Sequence, residues 1–200
     1  MKKISLLTNF VAACALVTLI SGCSCSDSNK TAPKNNNNQV AAVGSLEMKE
    51  SQTVKSAIAN VKGTKDSKIT GKVTFTQQPN GVLIVADVDG LAPGKHGFHV
   101  HEHGDCGGSD AMAAGGHFNP TNKKHGGPDD ADRHVGDFGN IVVDAKGHGH
   151  YDRLDKVISL NGKDTIVGRS IIIHADADDF VTQPTGNSGA RVACGIIEIK

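Results

Sequence analysis

Gly97-Phe98-His99-Val100-His101-Glu102 reads as one extended strand, and a strand's period of two sends the imidazoles of His99 and His101 to the same face. Two imidazoles side by side invite a metal ion. Further along, the chain adds His117, His125, His134, Asp137 and His174, enough nitrogen and carboxylate donors for a second ion beside the first. Around this strand, from Val54 onward, short apolar or alternating runs recur between turn signals, the pattern of an all-β sandwich or barrel. Eight strands are expected, roughly Lys55 to Val61, Ile69 to Thr76, Val82 to Asp89, Lys95 to Glu102, Asn140 to Asp144, Gly149 to Leu154, Ser170 to Ala175 and Ala193 to Ile199. Pro79-Asn80-Gly81, Asp89-Gly90, Pro93-Gly94, Lys146-Gly147 and Asn161-Gly162 supply turn chemistry between them.

Two long connections interrupt the regular spacing, about Gly104 to Phe138 and Asp176 to Val192. Long irregular loops on a rigid scaffold are usually functional. The first carries most of the histidines and Cys106; the second carries Asp178 and Arg191 and leads into Cys194. A barrel would present both loops to one site.

Composition narrows the class. The 200 residues include 24 glycines and no tryptophan, so many tight turns, a modest core and little helix are expected. Lys+Arg and Asp+Glu balance at 21 each, which gives no reason to expect a nucleic-acid partner and leaves any steering of a charged ligand to local fields.

The amino end reads differently. Met1-Lys2-Lys3 followed by Ile4 to Ile20 has the basic and apolar regions of an export signal, here residues 1–22. Leu19-Ile20-Ser21-Gly22-Cys23 resembles the lipobox of bacterial lipoproteins, which implies acylation of Cys23 and anchoring at a membrane in the periplasm or cell envelope. Residues 23–51, with Lys34-Asn35-Asn36-Asn37-Asn38-Gln39, carry too few apolar residues to fold alone and are expected to form a polar tether to a domain spanning 52–200. The five cysteines sort by place: Cys14 leaves with the signal, Cys23 takes lipid, Cys25 lies on the tether, and Cys106 and Cys194 belong to the domain. In an oxidising compartment that last pair is expected to form a disulfide.

A lone histidine is more often a surface or satisfied core residue than a ligand. Here His96, His99, His101, His103, His117, His125 and His134, seven of the ten, fall in one short span. His103, His148 and His150 are read as surface residues, the last two flanking Gly149 near a turn. Neutral imidazole suits copper and zinc.

The motifs Gly97-Phe98-His99-Val100-His101-Glu102, Gly115-Gly116-His117-Phe118-Asn119-Pro120, His125-Gly126-Gly127-Pro128, Arg133-His134-Val135-Gly136-Asp137 and Gly186 to Gly195 closely resemble copper/zinc superoxide dismutase in order and spacing, over about Val54 to Lys200. The resemblance implies an eight-stranded Greek-key β-barrel or sandwich, immunoglobulin-like, with two long functional loops. It implies one copper ion held by His99, His101, His117 and His174, and one zinc ion held by His117, His125, His134 and Asp137. His117 is then shared, because an imidazole can present a nitrogen to each of two metals. Asp178 is implied to link His99 with His125 through hydrogen bonds, and Arg191 to attract and orient the anion beside copper.

The implied activity is disproportionation of superoxide to oxygen and hydrogen peroxide, with copper as the redox metal and His117 as a proton carrier, protecting the cell envelope from superoxide. Many animal and fungal relatives carry a Glu-Lys pair after the fourth copper ligand, where this chain has Ala175-Asp176, so its steering pattern differs. The implied partners are superoxide and a membrane reached only through the lipid anchor; relatives occur as monomers and as dimers, and of the two a homodimer is the expectation here. Two other readings, a copper-delivery protein and a structural lipoprotein with an incidental histidine cluster, are weaker because all the ligand positions and Arg191 are filled.

Overall fold

A computed structural model describes residues 52–65 and 67–200. The expected signal segment, tether, Cys14, Cys23 and Cys25 lie outside those residues. Eight strands follow in order: β1 (Ser56–Gly63), β2 (Thr70–Gln78), β3 (Gly81–Asp89), β4 (Gly94–His101), β5 (Asp137–Val143), β6 (His148–Asp155), β7 (Ser170–His174) and β8 (Arg191–Ile199). They pair antiparallel and close into a barrel with the order β1-β2-β3-β6-β5-β4-β7-β8. The β3–β4 and β6–β7 connections therefore each pass over two intervening strands, while the other neighbours in sequence pair directly. Closure removes the unpaired edges that an open sheet would expose.

Alternation fills the barrel. Ala57, Ala59 and Val61 of β1, Val73 and Phe75 of β2, and Val82, Ile84, Ala86 and Val88 of β3 point inward and are buried, with less buried residues between them. Phe98 packs edge-on against Phe138 and Tyr151 at ring separations of 5.7 and 5.1 Å, and the Tyr151 hydroxyl donates to the Phe138 carbonyl. On β4 and β7 the alternation disappears, since His96 to His101 and all of Ser170–His174 are buried on both faces. Their inner face joins the core; their outer face lies beneath the long loops, which is where His99 and His101 point.

Two boundaries differ from the sequence expectation. β5 begins at Asp137, not Asn140, because Asp137 pairs with His99 across a register shift between Gly97 and His99, and Gly139 turns the backbone at φ 78°. Asp137 and Phe138 thus belong to a strand and not to the first loop. Arg191 likewise opens β8 opposite His174 and does not lie in the second loop. Cys106 and Cys194 form a disulfide with Cα atoms 5.8 Å apart, tying the first loop to β8 across 88 positions. A closure of that length is worth about 4 to 5 kcal/mol in the chain-entropy account. Among the described residues the helical content is one 3₁₀ turn, Met112–Ala114, within this tied loop.

Candidate metal centre

Six imidazoles and one carboxylate converge on the outer face of β4. His99 and His101 come from β4, His174 from the end of β7, Asp137 from the start of β5, and His117, His125 and His134 from the first long loop. All seven are buried. One nitrogen each from His99, His101, His117 and His174 lies within 4.8 Å of the others, and one donor atom each from His117, His125, His134 and Asp137 forms a second group of the same tightness. His117 belongs to both.

Hydrogen bonds assign the free nitrogens. His99 donates from Nε2 to Asp178 Oδ2 at 2.8 Å, His101 from Nδ1 to the Gly115 carbonyl at 2.9 Å, and His174 from Nδ1 to the Gly189 carbonyl at 3.2 Å. Each of these bonds holds the proton on the nitrogen facing away from the cluster. His99 Nδ1, His101 Nε2, His117 Nε2 and His174 Nε2 are left buried, without any hydrogen-bond partner. Four orphaned lone pairs aimed at one point would be a costly arrangement for a purely structural cluster, since each buried unpaired group costs about 1 to 3 kcal/mol.

The second group is built around Asp137. Its Oδ1 lies 2.9 Å from His117 Nδ1 and 3.2 Å from His134 Nδ1, and its Oδ2 lies 3.1 Å from His125 Nδ1. The His125 contact lacks hydrogen-bond alignment, and that nitrogen is also unpartnered. Bonds of about 2.0 to 2.1 Å to a tetrahedral ion set its ligand atoms about 3.3 Å apart, so these separations suit the edges of a coordination tetrahedron. The donor set fits a pair of metal ions, one in each group.

Burial sets the protonation. It pushes His99 down to about 3, helped by the neighbouring His117, and His174 down to about 4. It also holds His101 well below, and His117 below, the ordinary imidazole value, the latter against an opposing hydrogen bond to Asp137. Burial would depress His125 as well, but the carboxylates of Asp137 and Asp178 outweigh it and lift that residue to about 9. For Asp137 and Asp178 burial alone would raise the carboxyl value, yet their histidine partners hold both far below it. The first group is thus neutral imidazole with open lone pairs; the second holds an ionised carboxylate facing a protonated His125.

Asp178 joins the two groups. Its Oδ2 accepts from His99 and its Oδ1 from His125 Nε2 at 2.9 Å and from the Phe180 amide at 2.7 Å. Gly186, at φ 66°, passes so close that a Cβ there would collide with the Asp178 carboxylate and the His125 imidazole. Arg191 donates to the carbonyls of Ala111 at 2.7 Å and Gly115 at 2.6 Å, so it shares the Gly115 acceptor with His101 and sits beside the first group, half-buried.

Several supporting contacts cannot be read from the sequence. Arg133 is buried and donates to the carbonyls of His134, Val135 and Asp137, while its other end pairs with the buried Asp155 of β6 at 2.6 Å. Asn140 exchanges two hydrogen bonds with the Asp178 backbone, and the Gln183 amide does the same with the backbone of His125. Apart from the local bonds of Arg133 to its own loop, these contacts join separate segments, visible only once the barrel is closed.

A closed antiparallel barrel with a two-ion imidazole centre sharing one histidine defines a class of β-barrel metalloprotein. Residues 69–197 match the family model described as copper/zinc superoxide dismutase. The chain belongs to the copper/zinc superoxide dismutase family; it is an oxidoreductase acting on superoxide, with copper and zinc as its metals. It is 47% identical over 143 residues to an extracellular superoxide dismutase [Cu-Zn] of Brugia pahangi, covering 67% of this chain and 71% of that protein. A protein of the same name from Haemonchus contortus is 47% identical over 145 residues, covering 70% and 79%. A solved structure, the clock protein EA4, superposes with a TM-score of 0.69 at 44% identity, covering 74% of this chain and 97% of that one.

Proposed function

We propose that His99, His101, His117 and His174 hold copper and that His117, His125, His134 and Asp137 hold zinc. The observation that carries this reading is the set of orphaned nitrogens, His99 Nδ1, His101 Nε2, His117 Nε2 and His174 Nε2, meeting beside an Asp137-centred group through the shared His117. Neutral nitrogen donors suit a metal that must cycle between charges of one and two, whereas a group containing a carboxylate suits a dication of fixed charge.

Copper, when bound, supplies a one-electron couple that takes an electron from one superoxide and returns it to the next. The chain's residues do the rest. Arg191, fixed by two carbonyls, attracts the anion and offers it a hydrogen bond. His117 holds a proton at Nε2 in alternate half-cycles and gives it up towards the forming peroxide, while its Nδ1 side, braced by Asp137, keeps the ring in place. Asp178 fixes the orientation of His99 and His125 together. The balance is two superoxide anions and two protons giving one oxygen and one hydrogen peroxide. Metal-loaded crystals with anomalous scattering at the copper and zinc edges test every ligand at once; copper in the Asp137 group, or superoxide decay in pulse radiolysis no faster than with free copper, overturns the assignment.

The export signal at 1–22 supports secretion, and the nematode relatives carry the word extracellular in their names. Acylation of Cys23, the polar tether at 23–51 and a periplasmic or envelope location, with protection of the envelope from superoxide, rest on Leu19 to Cys23 and the following composition. Intact mass of the secreted chain tests them: an acyl-bearing amino-terminal Cys23 supports the anchor, and an unmodified chain begun elsewhere removes it. A homodimer is the proposed assembly, with Ile196 and Ile199 of β8 supplying exposed apolar surface, and sedimentation equilibrium decides it.

A further inference from the structure

His148 and His150 are not turn residues. Both lie on β6, two positions apart and on one face, opposite Asp89 and Asp87 of β3 in direct register. Directly opposed side chains start about 5 Å apart across the strands, and same-face neighbours about 7 Å apart along them. Two imidazoles and two carboxylates therefore rise from the corners of one small rectangle on the outside of the barrel. β6 stands two places and β3 three places from β4 in the strand order, so this face is distinct from the one that carries the metal centre.

The four side chains form two imidazole–carboxylate pairs linked by one longer contact. His148 Nδ1 lies 2.9 Å from Asp89 Oδ1, His150 Nδ1 lies 2.7 Å from Asp87 Oδ1, and His148 Nε2 lies 3.8 Å from that same Asp87 oxygen. Their side chains are 46 to 73% exposed, so they can turn towards a common ligand without disturbing the core. Lys72, opposite Asp87 on β2, forms no ion pair with it, and among the described residues both carboxylates pair only with these imidazoles. Mixed imidazole and carboxylate donors are the set preferred by divalent copper and zinc.

We propose that His148, His150, Asp87 and Asp89 form a third metal site, on the β3–β6 face, that takes one divalent copper or zinc ion from solution. The ion binds imidazole lone pairs and carboxylate oxygens in place of the hydrogen bonds between them, and is held by open, solvent-exposed ligands, so it exchanges freely, unlike an ion enclosed by buried donors. The site lies on a different face of the barrel and stands apart from the catalytic assignment.

The test uses enzyme whose two buried sites are already filled. Copper(II) is titrated into it in a non-coordinating buffer, with calorimetry for stoichiometry and electron paramagnetic resonance for nitrogen ligation. One further equivalent with imidazole nitrogen couplings is expected. The His148→Gln/His150→Gln double variant should lose it, and Asp87→Asn should weaken it about tenfold or more, while superoxide decay stays unchanged in both. No further equivalent in the wild type, or one retained with equal affinity by the double variant, overturns the proposal.

Discussion

Asp178→Asn separates the two metals. The side chain keeps its shape but exchanges one acceptor oxygen for an NH₂ donor, and the local contacts decide which one. At the Oδ1 position two donors converge, His125 Nε2 at 2.9 Å and the Phe180 amide at 2.7 Å, so the Asn oxygen belongs there. The NH₂ then takes the Oδ2 position, 2.8 Å from His99 Nε2. Two donors cannot face each other when buried, so His99 must move its proton to Nδ1, the nitrogen that points into the copper group. His125 keeps its tautomer. Copper affinity should fall by about tenfold to a hundredfold, the range for losing an outer partner of a ligating histidine, while zinc affinity changes much less. Folding of the metal-free protein should lose about 1 kcal/mol, since hydrogen bonds to a carboxylate become weaker ones to a neutral amide. Competition titrations against chelators of known affinity, run for copper and zinc separately, read the difference. Equal losses for both metals, or a larger loss for zinc, would refute the reasoning; Asp178→Ala, which removes both acceptors, should weaken both and serves as the control.

Three further outcomes follow from the same geometry. Asp155→Asn leaves the buried Arg133 guanidinium without its counter-charge, so stability should fall by about 3 to 5 kcal/mol, measured by denaturant unfolding of the metal-free protein, and zinc should dissociate faster because Arg133 holds three carbonyls of its loop. Metal-free protein should be most heat-stable near pH 6.5, as differential scanning calorimetry across pH would show. Below that value the unfolded chain protonates histidines that remain neutral when folded, His174 until about 4 and His99 until about 3, so stability drops as pH falls. Above it the stability conferred by His125, full below its unfolded value, is lost as pH rises through about 9, and zinc loading should remove this alkaline limb. Arg191→Ala should slow superoxide decay and flatten its decrease with added salt, because screening acts on the charge that has been removed; an unchanged salt slope in pulse radiolysis would contradict a steering role.

The barrel was legible wherever a strand had one wet face, since alternation over Lys72 to Thr76 of β2 and Ala86 to Asp89 of β3 marks inward positions one by one. It was least legible where function intrudes. β4 and β7 are buried on both faces because the loops cover the metal centre, and β5 begins early because Asp137 is both a strand partner of His99 and the hub of the second donor group. Gly139, which local rules treat as a strand breaker, is the turn that permits this double use. The histidines were legible because few residues can do their work and their spacing is constrained on both sides of the site. Their supports were not: the carbonyls of Gly115 and Gly189 carry no side-chain mark, and Arg133 of the first loop meets Asp155, at the end of β6, only in the folded barrel. The same blindness made His148 and His150 look like isolated surface residues. Only the register with Asp87 and Asp89 turns four ordinary polar residues into one set of donors, and it does so on a face where the catalytic reaction demands nothing.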